Sequence, residues 1–211
     1  LTFSVRSVLQ HWKGGGELVI LSQSPPKVFN EEIGWEKCRT YQQAQDFAAS
    51  LSGKRILWMN DDIFLLRDTD ASDLLPPRQM GDLTKADPDA RSWRGYWRRL
   101  LIHVGDELQA MGHSALNFST HTPYLFEADK LKETLALFER RYKMPVETAY
   151  FNIHHKGESQ ICRDKLEMKR PMGIPAHLGH LRFLNVANGG LTPHGKAWIQ
   201  GLFPIKSRFE K

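Results

Sequence analysis

Apolar residues recur at helical spacing in several stretches of the chain and collect into short continuous runs between them. Val5, Val8, Leu9 and Trp12 fall on one helical face, with Ser4 placed to cap it, and three glycines at 14–16 end it. Residues 17–22 (ELVILS) carry a buried-strand pattern closed by Ser24-Pro25-Pro26. A second helix is predicted over 38–52, with Tyr41, Ala44, Ala48 and Leu51 inward and Gly53 beyond its end. Residues 54–68, KRILWMNDDIFLLRD, read as a short strand that breaks at Asn60-Asp61-Asp62 and resumes as Ile63-Phe64-Leu65-Leu66. Trp97, Leu101, Val104, Leu108 and Met111 make the stripe of a third helix ended by Gly112. Residues 116–121 (LNFSTH) read as extended, stopped before Pro123, which biases Thr122 away from helix. Leu131, Leu135, Phe138 and Tyr142 mark a helix over 128–142, and 146–154 suits strand or helix equally.

Alternation of helix and strand predicts an α/β domain with a mostly parallel sheet flanked by helices. In such a sheet the C-terminal strand ends carry the binding groups, and 22–26 and 60–62 would both lie there. A single domain over 1–211 is expected, with an irregular excursion at 68–90 and an irregular tail from 171. Trp198, Phe203 and Phe209 would anchor that tail against the body. The three-glycine loop follows a helix and precedes a strand, the reverse of a phosphate-binding loop, and reads as a turn.

Composition narrows the class. With 41% apolar and 25% charged residues the chain is globular, and its net charge of +5 admits phosphorylated, anionic or nucleic-acid partners without selecting one. No run approaches the length of a membrane span, and LTFSVRSV lacks the basic start and apolar core of a signal peptide. Cys38 and Cys162 are no disulfide framework; free thiols in a reducing compartment, hence a cytoplasmic protein, are expected, with one disulfide as the alternative. Residues 91–99, RSWRGYWRR, interleave four arginines with Trp93, Tyr96 and Trp97, a pattern that stacks on phosphorylated ligands or serves as the wet face of a helix.

The chemistry gathers at the broken strand. Two adjacent carboxylates in an apolar run are costly unless a metal, a partner or water compensates them, or unless they merely turn the chain. Asp61 and Asp62, helped by Asn60, suit Mn²⁺ or Mg²⁺. Adjacent side chains on extended chain point to opposite faces, so a turn must intervene if both are to reach one ion. His121, on a loop or strand end, is a candidate nitrogen ligand or general base.

In order, TFSVRSVLQHW (2–12), GELVILSQSPP (16–26), ILWMNDDIFLL (56–66) and NFSTHTPYLF (117–126) resemble the Stealth family of capsular polysaccharide and sugar-phosphate transferases. Arg6 and Ser7 match its first segment, Asn60, Asp61 and Asp62 its acidic motif, and His121 with Pro123 its third. The resemblance covers about residues 1–125. It implies a fold like the GT-A nucleotide-sugar transferases, a divalent metal and a nucleotide-sugar donor. The family's leading strand, with its own aspartate motif, has no counterpart here, and its last block has no clear match; Asp164 and His180 are the candidates to stand in.

On that resemblance Asp61 and Asp62 would hold the metal against the donor diphosphate. Arg6, with one or more of Arg91, Arg94 and Arg98, would neutralise the phosphates, and His121 would deprotonate or position the acceptor hydroxyl, with Asp62 the other catalytic residue. Attack at the sugar carbon gives glycosyl transfer, the favoured expectation; attack at the β-phosphorus gives sugar-phosphate transfer. The acceptor would be a glycan or other hydroxyl, with modified DNA as a variant. Two other classes compete: a nucleic-acid-binding protein, from the basic segments, and a catalytically silent module of the same fold. Metal-dependent phosphoester hydrolysis would need more clustered carboxylates and histidines than the sequence offers.

Overall fold

A computed structural model describes residues 1–84, 95–138, 144–168 and 178–211. Among them the chain is mixed α/β, with helices α1 (Thr2–His11), α2 (Tyr41–Ser50), α3 (Tyr96–Ala110), α4 (Ala128–Leu137), α5 (Val146–His154) and α6 (Pro193–Leu202). In place of one mostly parallel sheet, the described strands pair in small groups. β1 (Val19–Ser22) runs parallel to β2 (Gly34–Lys37), and β3 (Arg55–Trp58) runs antiparallel to β6 (Tyr124–Glu127). β4 (Ile63–Leu65) pairs antiparallel with β9 (Phe183–Val186), whose other edge takes β8 (Lys165–Met168) in parallel. β5 (Arg78–Gln79) and β7 (Gln160–Ile161) make a short parallel pair.

The two halves of the 54–68 segment therefore belong to different sheets. The backbone turns between them, where Ile63 N–H donates to Asn60 O at 3.2 Å. β3 packs into the largest core cluster with Phe126, Leu131, Leu135, Tyr150 and Phe151. β4 lies between two smaller ones: Phe64 joins Leu184, Ile199 and Phe203, and Leu65 joins Leu74 and Phe183.

α1 docks on the edge of β4 through serines. Ser4 is not a cap; it sits inside the helix and its hydroxyl donates to Ile63 O at 2.8 Å. The Ser7 hydroxyl, fully buried, accepts from Leu65 N–H at 3.2 Å and donates to Ser4 O. These bonds satisfy the backbone groups of β4 that face away from β9, which an edge strand would otherwise leave open. That is why Leu9, expected inward, is 44% exposed while Ser4, Val5 and Ser7 are buried.

Other expectations shift for local reasons. α2 starts later, at a Thr40 cap whose side chain accepts from Gln43 N–H, and Gly53 takes its predicted place beyond the helix at φ +72°. The strand expected at 116–121 forms after Pro123 instead, as β6. Residues 146–154 are helical and buried nearly all round, which explains why no period could be read there. The tail from 171 is not irregular throughout. It contains β9, the buried centre strand of its sheet, and α6, with Pro193 at its start and a Thr192 cap. Within the 68–90 excursion, Leu74 and Arg78 are buried, and Arg78 forks onto Asp164 at 2.7–3.0 Å.

Candidate active site

The turn between β3 and β4 separates the two aspartates, as divergence on an extended chain requires. Asp61 faces out, 70% exposed, with Oδ2 4.0 Å from the Leu1 backbone nitrogen. Asp62 faces in, 33% exposed, and its backbone carbonyl accepts from Val186 N–H at 2.9 Å, locking it to β9. Its Oδ2 accepts from Asn185 Nδ2 at 2.9 Å and lies 3.9 Å from His121 Nδ1. Its Oδ1 is buried and accepts no hydrogen bond among the described residues. A buried carboxylate oxygen left without a donor costs stability unless a ligand completes it.

His121 reaches this place on a tightly held loop. Its φ of +50° is left-handed, the only such value at a non-glycine among the described residues. Three contacts hold it there. Its N–H donates to Tyr124 Oη at 2.9 Å, the Thr120 and Thr122 hydroxyls bond each other at 2.7 Å, and Lys165 Nζ donates to Thr120 O at 2.5 Å. Burial first, then the Glu147 charge, pushes the Tyr124 phenol well above its ordinary 10.0, so it stays a neutral hydroxyl. A left-handed residue held by its surroundings is a place to look for function.

The remaining predicted residues scatter. Asn60 contributes its carbonyl to the turn. Arg6 is engaged elsewhere: its Nε and Nη2 fork onto the Glu210 carboxylate at 2.8 and 2.6 Å, and its Nη1 donates to Phe203 O. Asp164 is the partner of Arg78, and His180 is exposed with Nε2 3.2 Å from Arg163 O. Arg98 lies half-buried in the first turn of α3, while Arg91 and Arg94 lie outside the described residues. So Asp62 and His121 come together; Asp61, Arg6, Asp164 and His180 serve other contacts.

Three residues at the site lie beyond those the sequence singles out: Asn185, Lys165 and Tyr124. Asn185 had a readable signal, being the one polar residue in the apolar run FLNV. Lys165 sits in a charge-rich stretch where nothing marks it out.

As a metal site the arrangement offers one hard carboxylate oxygen and one imidazole nitrogen. Among the described residues no three His, Cys, Asp or Glu side chains form a metal-holding group. The single Asp62 carboxylate still fits Mg²⁺ or Mn²⁺, which commonly take one or two carboxylates and complete the shell with water and substrate phosphates, and this leaves the His121 ring to act as a base. No helix among the described residues is long and apolar enough to cross a membrane, and both cysteines are unpaired thiols. No protein-family model and no curated protein matches the chain.

Proposed function

We propose that this protein is a metal-dependent transferase that moves a sugar from a nucleotide-sugar to a hydroxyl acceptor, with Asp62 and His121 at its centre. The observation that carries this reading is the buried Asp62 Oδ1, without a hydrogen-bond donor among the described residues, on a carboxylate 3.9 Å from His121, a histidine held at positive φ. The resemblance of the NDD and His-Thr-Pro segments to the Stealth family and its GT-A-like fold supports the donor class.

Asp62 presents Oδ1 to the donor side while Asn185 holds Oδ2. Bound Mn²⁺ or Mg²⁺ supplies Lewis-acid stabilisation of charge on the departing phosphate. The His121 side chain is 40% exposed while its Nδ1, on the Asp62 side, is buried, so its other ring nitrogen accepts the proton of the acceptor hydroxyl. That oxygen bonds to the anomeric carbon, the carbon–phosphate oxygen bond breaks, and nucleoside diphosphate leaves. In the Stealth-type alternative the same oxygen attacks the β-phosphorus and nucleoside monophosphate leaves, so the released nucleotide separates the two chemistries.

The test is a panel of nucleotide-sugars with Mn²⁺ or Mg²⁺, reading nucleotide release. Wild type should turn over at least one donor, and Asp62→Ala, still folded, should lose at least about 100-fold. Full turnover in Asp62→Ala, or none by wild type on any donor, overturns the proposal.

A further inference from the structure

Asn185 is 2% exposed in a strand whose other residues are apolar and buried. An amide in such a place is costly unless its polar atoms are used. Its Nδ2 donates to Asp62 Oδ2 at 2.9 Å and lies 3.4 Å from Asp62 O. That carbonyl already accepts from Val186 N–H, so the backbone position of Asp62 is set by the β4–β9 ladder without the amide. What the side-chain bond adds is the rotation of the carboxylate. With Oδ2 held against β9, Oδ1 remains without a hydrogen-bond donor among the described residues.

We propose that Asn185 is the positioning residue of this site: it holds Oδ2 of Asp62 so that Oδ1 is presented to the divalent cation and donor phosphate. The inference rests on the transferase reading above. Only a neutral donor suits the task. Leucine, close to asparagine in shape, would fill the space and leave the carboxylate to rotate. Aspartate would set two acceptors face to face.

The test compares Asn185→Leu, Asn185→Ala and Asp62→Ala with wild type. Mn²⁺ binding without donor is read from the resonance of the free ion, and turnover is read over donor concentration. Asn185→Leu strips Asp62 Oδ2 of its donor and should lower the unfolding temperature modestly, and it should bind Mn²⁺ about 10–100-fold more weakly, the usual loss when the group behind a metal ligand is removed. At Mn²⁺ below the new dissociation constant its kcat should fall by a similar factor and recover as Mn²⁺ is raised, because the loss lies in holding the ion. A merely structural role would lower the unfolding temperature and leave affinity and kcat unchanged. Should Asn185→Leu fail to fold, Asn185→Ala, which removes the same donor, carries the same expectation for affinity and kcat.

Wild-type Mn²⁺ affinity and kcat in a folded Asn185 variant, with both lost in Asp62→Ala, would overturn the positioning role and leave the transferase reading standing. Retention of both in Asp62→Ala would bring down the reading itself, and the inference with it.

Discussion

Replacing Glu210 by Gln should destabilise the protein at neutral pH and much less in acid. Arg6 and Glu210 are 10% and 6% exposed and form a two-pronged ion pair, with Ser207 N–H donating to the same carboxylate at 2.8 Å. The Arg6 hydrogen bonds, chiefly, hold the Glu210 carboxyl at about 2 in place of an ordinary 4.5. At 1.36 kcal/mol per pKa unit, that difference is worth on the order of 3 kcal/mol of folding free energy. Because the folded value is depressed, the contribution is complete above about pH 4.5 and disappears as pH falls through about 2. At pH 3 about 1.4 kcal/mol of it should remain.

Urea unfolding of wild type and Glu210→Gln at pH 7 and pH 3 reads this directly. The gap should be on the order of 3 kcal/mol at pH 7 and roughly halve by pH 3. Arg6→Met should cost about 3–5 kcal/mol at pH 7, since it strands a buried carboxylate. Equal midpoints at pH 7, or a gap that does not narrow in acid, would refute the reasoning. The outcome bears on function as well, because it decides whether Arg6 ties the C-terminal segment to α1 or answers to phosphate.

Ser7→Ala removes the acceptor for Leu65 N–H in a fully buried place, and should cost about 1–3 kcal/mol in urea unfolding together with faster hydrogen exchange at that amide. Unchanged exchange there would show that the serine does not hold the β4 edge. Arg78→Met should cost about 3–5 kcal/mol, because Asp164 loses both prongs of its partner; a stability equal to wild type would mean the pair contributes nothing net.

What could be read beforehand follows the strength of local periodicity. The stripe of α3 put Leu101, Val104 and Leu108 inside but left Met111 38% exposed past the helix end; α4 buried Leu131 and Leu135 as expected, with Phe138 buried just beyond it and Tyr142 outside the described residues. The serine-lined face of α1 was hidden because its inward contacts are hydrogen bonds to a strand rather than apolar packing. β9 was hidden because four residues amid glycines and prolines carry little pattern, although it supplies the centre of its sheet.

The site divides the same way. Asp62 and His121 were visible as types of residue in telling places, a carboxylate inside an apolar run and a histidine ahead of Thr-Pro. Their meeting, across a separation of 59 residues, depends on β3 pairing with β6 and on the turn that sends Asp61 outward. Arg6 shows the limit: a cation near an acidic motif in the sequence says nothing of the carboxylate waiting 204 residues on.

In the transferase proposed here, Asp62 and His121 flank one divalent cation. Anomalous diffraction at the manganese edge from crystals soaked in Mn²⁺ with a nucleoside diphosphate tests it most directly. A single strong peak within about 2.0–2.3 Å of Asp62 Oδ1 and beside the His121 ring is the predicted result. Full occupancy elsewhere, with no peak at Asp62, would contradict it.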